Sequence, residues 1–198
     1  MSGDPRHSAF WQDRYERGTA GWDKGVAAPP LMRALAALDP ELGTKVLVPG
    51  CGYGHEALHL AKQGCAVVAV DFAPAAIKSL TERAAGLSLQ AMERDIFTLQ
   101  EDFAAEFDLV VEHTCFCAIP LDRRDAYART MAGVLARGGI LSGLFWELGE
   151  DEGPPFNTSR EDLHLHFGPF FDLVEIERVG DSFPGRQDEE WLVRMVKK

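Results

Sequence analysis

The sequence predicts an α/β fold in which helices cover a mainly parallel, seven-stranded sheet. Seven short apolar runs alternate with helical patterns along the chain, and this alternation is typical of parallel strands joined by crossover helices. A glycine-rich turn follows the first run, and the second run stops at an acid, Asp71, as in folds that bind a ligand at one sheet edge. Only residues 181–187 separate the last two runs, which permits an antiparallel edge hairpin.

The elements follow in order from the amino terminus. A leading region over residues 1–40 is rich in Trp, Tyr, Arg and Asp, and it ends in a short helical stretch over 31–38. Further helical patterns cover 55–63 and 123–136, and each is followed by glycine, the usual stop signal. The apolar runs that predict strands lie at 45–48, 66–70, 88–92, 107–112, 139–146, 171–178 and 191–196.

A stiff acidic loop, Glu150–Phe156, follows the fifth predicted strand. Its place at the carboxyl edge of the sheet makes it either a wall of a substrate pocket or a solvated connector, and position alone leaves both open. Two overlapping capping boxes, Thr158–Glu161 and Ser159–Asp162, come next. They predict a helix from about residue 160.

The glycine turn Gly50-Cys-Gly-Tyr-Gly54 identifies the class of ligand. The dinucleotide fingerprint needs a third glycine at position 55, which is His55, so the pattern present is G-x-G-x-G, the form associated with S-adenosylmethionine. Asp71 lies 21 positions after Gly50, at the end of the next strand, where it can accept hydrogen bonds from ribose hydroxyls.

Composition limits the function classes. A chain of 198 residues provides one domain with a full core, and we expect residues 1–198 to form a single domain. Little room remains for the separate substrate domain of a nicotinamide dehydrogenase, which favours a methyltransferase. The net charge of −11 disfavours nucleic acid and anionic membranes as partners. The amino terminus has no apolar core of a signal peptide, and the four cysteines suit buried thiols in a reducing compartment, so we expect a cytoplasmic protein.

Two further segments could carry chemistry. Asp95-Ile96 follows the third strand, where the acid could accept from an adenine amino group while the apolar neighbour packs on the ring; a plain turn-capping Asp explains the same pattern. His113 follows the fourth strand, above the expected reaction centre. Its free pKa permits proton transfer near neutral pH, but a wall residue is an equal alternative.

A competing motif overlaps the glycine turn. His55-Glu-Ala-Leu-His59 matches the H-E-x-x-H helix of zinc proteases. The motif leaves a third ligand unidentified, and a zinc-protease helix does not emerge from a G-x-G-x-G turn after a buried strand. We therefore expect no metal site here.

With these pieces in order, the chain resembles the thiopurine S-methyltransferase superfamily, and within it the plant thiol and halide methyltransferases. The family's fold is the class I methyltransferase sandwich, Rossmann-like, with a mainly parallel sheet of seven strands and an antiparallel edge hairpin. The stretches that carry the resemblance span nearly the whole chain; they are Phe10–Asp23, Leu47–Gly54 with its Val-Pro-Gly-Cys-Gly, Phe107–Ile119 and Glu152–Phe156.

The resemblance implies that the leading segment, residues 1–40, folds over the cofactor. Tyr15 stands where the family has a tryptophan, and His113 stands where plant members have a tyrosine, which leaves the role at that position open. Phe116, Trp146, Glu152 and Pro154 are the candidates for the substrate pocket. The implied contacts to S-adenosyl-L-methionine, or to its product S-adenosyl-L-homocysteine, are Trp11, Tyr15, Trp22, Gly50, Cys51, Gly52, Gly54, Asp71, Phe72, Asp95, Ile96 and His113.

The implied chemistry is SN2 methyl transfer to a small-molecule acceptor, a thiol, hydrosulfide or related soft nucleophile, with His113 as the catalytic candidate. A nucleophile with a pKa of about 7 to 8.5 is partly ionised at neutral pH, so a proton-handling role for His113 and a dispensable one both fit. The alternatives are a methyltransferase for an oxyanion or a carboxylate, and a module that binds the cofactor without transferring its methyl group. The sequence makes no prediction of oligomeric state.

Overall fold

The architecture is a helix–sheet–helix sandwich, seen in a computed structural model that describes residues 3–149 and 152–198. The sheet has seven strands in the order β3-β2-β1-β4-β5-β7-β6. The strands are β1 Lys45–Pro49, β2 Ala66–Asp71, β3 Leu89–Glu93, β4 Phe107–His113, β5 Leu135–Trp146, β6 Phe171–Val179 and β7 Glu190–Lys197. The helices are α1 Ser8–Glu16, α2 Pro29–Leu38, α3 His55–Lys62, α4 Pro74–Arg83, α5 Arg124–Val134 and α6 Arg160–Phe167.

The predicted topology is confirmed. Strands β1 to β5 pair in parallel, whereas β7 pairs antiparallel with both β5 and β6 and so forms the expected edge hairpin. Parallel pairing brings the carboxyl ends of five strands to one edge. β2 and β4 lie on opposite sides of β1, so the direction of strand addition reverses at β1, and this switch point is where ligands bind in such sheets.

A separate apolar core packs on each face of the sheet. On one face, an aromatic cluster that includes Phe116, Tyr127 and Phe167 fills the space between α5, α6 and the sheet. On the other face, α2 and α3 pack their leucines against β1 and β2. All four cysteines are buried free thiols. None of the helices in the two described ranges is long and apolar enough to cross a membrane.

Three local predictions need correction. The helix predicted to reach Ala136 ends at Val134, because Leu135 already adopts an extended conformation and pairs with Phe107 of β4. The fifth strand therefore starts earlier than predicted and contains an irregularity before Ile140. Cys115 and Cys117 are spaced two apart, which predicts that they face the same way on a strand end, but β4 stops at His113 and a short 3-10 turn covers Phe116–Ala118. Helix α1 was not predicted, because its few apolar residues form no continuous stripe.

The capping box at the start of α6 gives the first testable prediction. Ser159 Oγ accepts from the Asp162 amide at 3.1 Å, and Asp162 Oδ2 accepts from the Ser159 amide at 2.8 Å. We expect Ser159→Ala to lower the free energy of unfolding by about 1 kcal/mol, because the Asp162 amide loses its partner. Chemical denaturation measures the change.

Ser79→Ala is the matched control, since Ser79 lies inside α4 and caps no helix. This substitution should change the free energy of unfolding by less than about 0.5 kcal/mol. Equal losses in the two variants would show that the capping box contributes nothing specific.

Candidate active site

The glycine turn after β1 is shaped by close packing. Gly50, Gly52 and Gly54 all have positive φ, at 57°, 52° and 74°. A Cβ atom on Gly50 would lie 2.6 Å from Cys115 Sγ, and one on Gly54 would lie 2.5 Å from Leu80 Cδ1. Glycine is therefore needed at these positions for sterics as well as conformation. The turn leaves its backbone open to the cleft above it at Gly50.

Asp71 fastens this turn from the end of β2. Its Oδ2 accepts from the Gly52 amide at 3.0 Å, and its Oδ1 accepts from the Ala73 amide at 2.9 Å. Burial raises the pKa of Asp71, although the amide hydrogen bonds oppose the shift. Each carboxylate oxygen keeps a second lone pair, and the residue lines the cleft. Asp71 can thus hold the turn and accept from a ligand at once.

The cleft beyond the switch point gathers most of the residues predicted to hold the cofactor. It encloses about 740 Å³ of empty space, its open mouth included. Asp95 lies in its wall and also accepts from the Phe97 amide at 3.0 Å, so the two sequence interpretations of this acid are compatible. The predicted residues that line the cleft are Trp11, Tyr15, Trp22, Gly50, Asp71, Phe72, Asp95 and Ile96.

The leading segment forms the roof of the cleft as an aromatic group. The ring centroid of Trp22 lies 5.4 Å from that of Trp11 and 5.5 Å from that of Tyr15, both in edge-to-face geometry. Tyr15 is buried, and burial together with the Asp71 charge raises the pKa of its hydroxyl far above the ordinary value. The roof over the cleft is thus an apolar, aromatic surface.

Polar contacts fix this roof to the sheet domain along its length. Arg6 pairs with Asp122 at 2.8 Å. The Gln12 side-chain oxygen accepts from the amide of Ala75, in the first turn of α4, at 2.9 Å. Asp23 pairs with His55 at 2.8 Å, and the Ala28 amide donates to Glu56 at 3.2 Å. The residues of the zinc-helix motif thus make structural contacts: His55 and Glu56 both bind the roof.

His113 forms a buried pair with Glu56. Its Nδ1 lies 2.9 Å from Glu56 Oε1, while its Nε2 is buried and has no hydrogen-bond partner in the described chain. Burial favours the neutral form of both groups, but their hydrogen bond and opposite charges raise the pKa of His113 and lower that of Glu56. The pair with Glu56 therefore favours the protonated form of His113, which cannot accept a proton.

His113 lines a small cavity beside the glycine turn together with Cys51 and Gly52. Burial raises the pKa of the Cys51 thiol well above its ordinary value, so this thiol stays protonated. Gly54 lines neither this cavity nor the cleft; it is the residue before α3 and packs against Leu80.

A third cavity adjoins the cleft, and we call it the acceptor cavity. It has about 840 Å³ of empty space, its opening included. Of the predicted pocket residues, Trp146 and Pro154 line it. Phe116 does not, since it is fully buried in the aromatic core, and Glu152 is exposed outside it. Part of the acidic loop, Glu150 and Asp151, lies outside the described residues.

Three cations line the acceptor cavity, and sequence reasoning missed all of them: Arg14, Lys24 and Arg186. Arg186 is only 3% exposed, lies 3.3 Å from Glu190 and stacks 4.2 Å above the Trp146 ring. Its Nε is buried without a hydrogen-bond partner in the described residues. The only sequence signal was a lone arginine between the last two strands, which gives no indication of burial.

Four residues line both the cleft and the acceptor cavity: Trp11, Trp22, Thr114 and Ala118. The turn that holds Thr114 follows β4 and is fixed by Glu112, whose Oε1 accepts from the Cys115 and Phe116 amides, each at 2.8 Å. The two spaces therefore meet at this turn, below the aromatic roof.

Comparison with known proteins gives a consistent result. The sequence profile of the thiopurine S-methyltransferase (TPMT) family matches residues 6–198. Thiocyanate methyltransferase 1 of Brassica oleracea is 32% identical over 196 residues, which cover 94% of this chain and 84% of the relative. Thiopurine S-methyltransferase of Gluconobacter oxydans is 30% identical over 202 residues, which cover 91% of this chain and 90% of the relative.

The fold is shared with a solved methyltransferase structure. The 1,6-didemethyltoxoflavin-N1-methyltransferase of Burkholderia thailandensis, with bound S-adenosylhomocysteine, superimposes with a TM-score of 0.78 at 20% identity. The match covers 96% of this chain and 87% of that one. At this identity the likeness establishes the architecture.

Glu112 gives a prediction on pH dependence. Burial raises its pKa from 4.5 to about 7, with the two amide hydrogen bonds opposing the shift. Between pH 4.5 and pH 7, the Glu112 carboxyl is ionised in the unfolded chain but protonated in the folded protein. Glu112 therefore destabilises the fold increasingly as the pH rises through this range. Glu112→Gln keeps an oxygen for both amides. The free energy of unfolding of Glu112→Gln should therefore increase relative to that of wild type, by on the order of 3 kcal/mol between pH 4.5 and pH 7.

Denaturant titrations at several pH values measure this difference, with Glu41→Gln as the control for losing an exposed charge. Stability curves that stay parallel for wild type and Glu112→Gln across this range would contradict the prediction.

Proposed function

The chain belongs to the thiopurine S-methyltransferase family and is an S-adenosylmethionine-dependent methyltransferase, and from this premise we propose that it methylates small, anionic sulfur nucleophiles. Hydrosulfide, thiolates and thiocyanate are the acceptors of this kind. The observation that carries the proposal is the charge of the acceptor cavity, which is positive in a chain of net charge −11.

The cleft residues fit S-adenosylmethionine. Gly50 has no side chain and lines the cleft, so a ligand can approach its backbone closely. We propose that Asp71 accepts from the ribose hydroxyls, that Asp95 and Ile96 contact the adenine, and that the aromatic roof faces the sulfonium. A ring face attracts a cation through its quadrupole. When bound, the cofactor supplies a methyl group already activated for transfer.

The acceptor cavity selects for a negative charge. Arg14, Lys24 and Arg186 line it, and among residues 3–149 and 152–198 none of the side chains in its wall is acidic. Arg186 is buried, where water screens charge weakly, and although it pairs with Glu190 its Nε has no hydrogen-bond partner among the described residues. A carboxylate or oxyanion would satisfy the charge as well, but the apolar rings of Trp11, Trp22 and Trp146 favour a soft, weakly hydrated anion.

Among the described residues, no His, Asp or Glu that could act as a general base lines the acceptor cavity. His113 lines the neighbouring cavity, and its pairing with Glu56 favours its protonated form. Burial raises the pKa of Cys117, in the acceptor cavity, to about 12, so this thiol is protonated at neutral pH. We propose that the acceptor arrives already ionised and that His113 positions the glycine turn through Glu56. The protein then contributes alignment of the reactants and exclusion of water.

The test is an acceptor panel at several pH values, with methylated products measured by headspace gas chromatography. Hydrosulfide, methanethiol, thiocyanate and iodide are each supplied with S-adenosylmethionine. We expect kcat/KM for total sulfide and thiol to rise roughly tenfold per pH unit below the acceptor's own pKa, about 7 to 8.5 or higher. Thiocyanate, an anion throughout, should show a flat profile from pH 6 to 9.

Each alternative gives a different result. If the hydrosulfide and methanethiol profiles level off at the same pH, although the two acceptors have different pKa values, a protein group takes the proton, and His113 would regain that role. Cofactor binding without product from any acceptor would overturn the acceptor assignment and favour an oxyanion or carboxylate acceptor, or a module that only binds the cofactor.

The aromatic roof gives a prediction on cofactor affinity. Trp22 contacts both Trp11 and Tyr15 and lines the cleft, so Trp22→Ala removes the centre of the roof. We expect the Kd for S-adenosylhomocysteine to rise roughly tenfold, from the loss of buried aromatic contact area. Isothermal titration calorimetry measures it.

Trp146→Ala is the matched control, because Trp146 lines the acceptor cavity and not the cleft. It should leave the cofactor Kd within about twofold of wild type. The proposed placement of the roof is wrong if the two variants bind the cofactor alike.

A further inference from the structure

Thr114 has a backbone conformation that its side chain disfavours. Its φ is 59°, in the left-handed region that glycine adopts freely and that β-branched residues avoid. Among the described residues, the other non-glycine positions with positive φ are Asp39, Ala105 and Asp188, none of which is β-branched. Such strain persists where the surroundings impose it, and it concentrates at functional sites.

The surroundings of Thr114 do impose it. Glu112 Oε1 accepts from the next two amides along the chain, and the Cys117 thiol donates to the Thr114 carbonyl at 3.4 Å. The main chain of the turn is thus fixed on both sides of Thr114. Its side-chain hydroxyl, in contrast, has no hydrogen bond to any residue that the structure describes.

The position of this free hydroxyl is distinctive. Thr114 lines the cofactor cleft, the small cavity beside the glycine turn and the acceptor cavity. Of the described residues, only Trp22 shares all three. Trp22 belongs to the aromatic roof, whereas Thr114 belongs to the turn after β4 and carries a hydroxyl group. A donor at the junction of the spaces can contact a bound acceptor at the side that faces the cleft.

We infer that the Thr114 hydroxyl donates a hydrogen bond to the acceptor anion and so sets its position at the junction of the acceptor cavity and the cofactor cleft. This inference rests on the proposed function, because it takes the acceptor to be an anion. Arg14, Lys24 and Arg186 attract the anion into the cavity, and Thr114 fixes it at one point. The strained conformation is what directs the side chain to that point.

The first experiment measures binding without turnover. Thiocyanate is titrated into the complex with S-adenosylhomocysteine, which has no methyl group to give, and the quenching of tryptophan fluorescence is recorded. Thr114→Val keeps the branched shape but has no donor, and we expect the Kd for thiocyanate to rise roughly 5- to 20-fold. Thr114→Ser keeps the hydroxyl and should stay within about threefold of wild type.

The second experiment separates positioning from folding. In Thr114→Gly the strain is relieved and the donor is lost, so the Tm should not fall below that of wild type while kcat drops at least tenfold. A residue with a purely structural role would lose stability and activity together. Thr81→Val, on the exposed side of α4, is the matched control for loss of a hydroxyl and should change neither quantity.

The outcomes distinguish this inference from the proposed function. If wild type binds thiocyanate but methylates no acceptor, the proposed function fails, while the valine and serine variants still test Thr114. If all variants bind thiocyanate equally and turn over equally, the role of Thr114 is overturned and the proposed function stands. If wild type binds no thiocyanate, the inference about Thr114 is overturned, and the proposed function is decided separately by whether hydrosulfide or methanethiol is methylated.

Discussion

The close packing of Gly50 against Cys115 is the constraint on which the active site depends. It joins the turn after β1 to the turn after β4, the two central strands at the switch point of the sheet. The first turn is held by Asp71 and the second by Glu112, so each is fastened by a carboxylate from the end of a strand. Because the two turns are in contact, the cofactor cleft and the acceptor cavity keep a fixed position relative to each other.

Charge is distributed unevenly over the molecule, and this has a physical reason. The chain is strongly acidic, yet the acceptor cavity has a cationic wall. An acidic exterior repels anions at long range, whereas the buried Arg186 attracts them at short range, where water screens little. Its pairing with Glu190 is compatible with this, since the guanidinium has five donors and its Nε remains free. The arrangement suits a small anion that enters the cavity and excludes bulky polyanions.

The sequence predicted the sheet, its topology and the glycine turn because each depends on local patterns. Apolar runs, glycine stops and an acid 21 residues after Gly50 follow from chain geometry alone. The acceptor cavity depends on tertiary packing instead. Arg186 and Arg14 come from opposite ends of the chain and meet only in the folded protein, and nothing in the sequence near Thr114 signals a left-handed φ. Phe116 was predicted to line the substrate pocket and does lie in the segment after β4 that reaches the site. Its side chain is buried in the core, however, because a 3-10 turn rather than a strand follows His113.

Some of the groups that the fold leaves unsatisfied lie close to the acceptor cavity and the small cavity beside it. Glu112 Oε2, His113 Nε2 and Arg186 Nε are buried without a hydrogen-bond partner in the described residues. Thr114, next to two of them in sequence, has the strained backbone. Unpaired polar groups and strain each cost free energy, and a well-packed domain retains few of them. Arg186 and Thr114 both line the acceptor cavity, so an unpaired donor and a strained backbone lie in its wall, and together with the cationic side chains there they suit a negatively charged ligand.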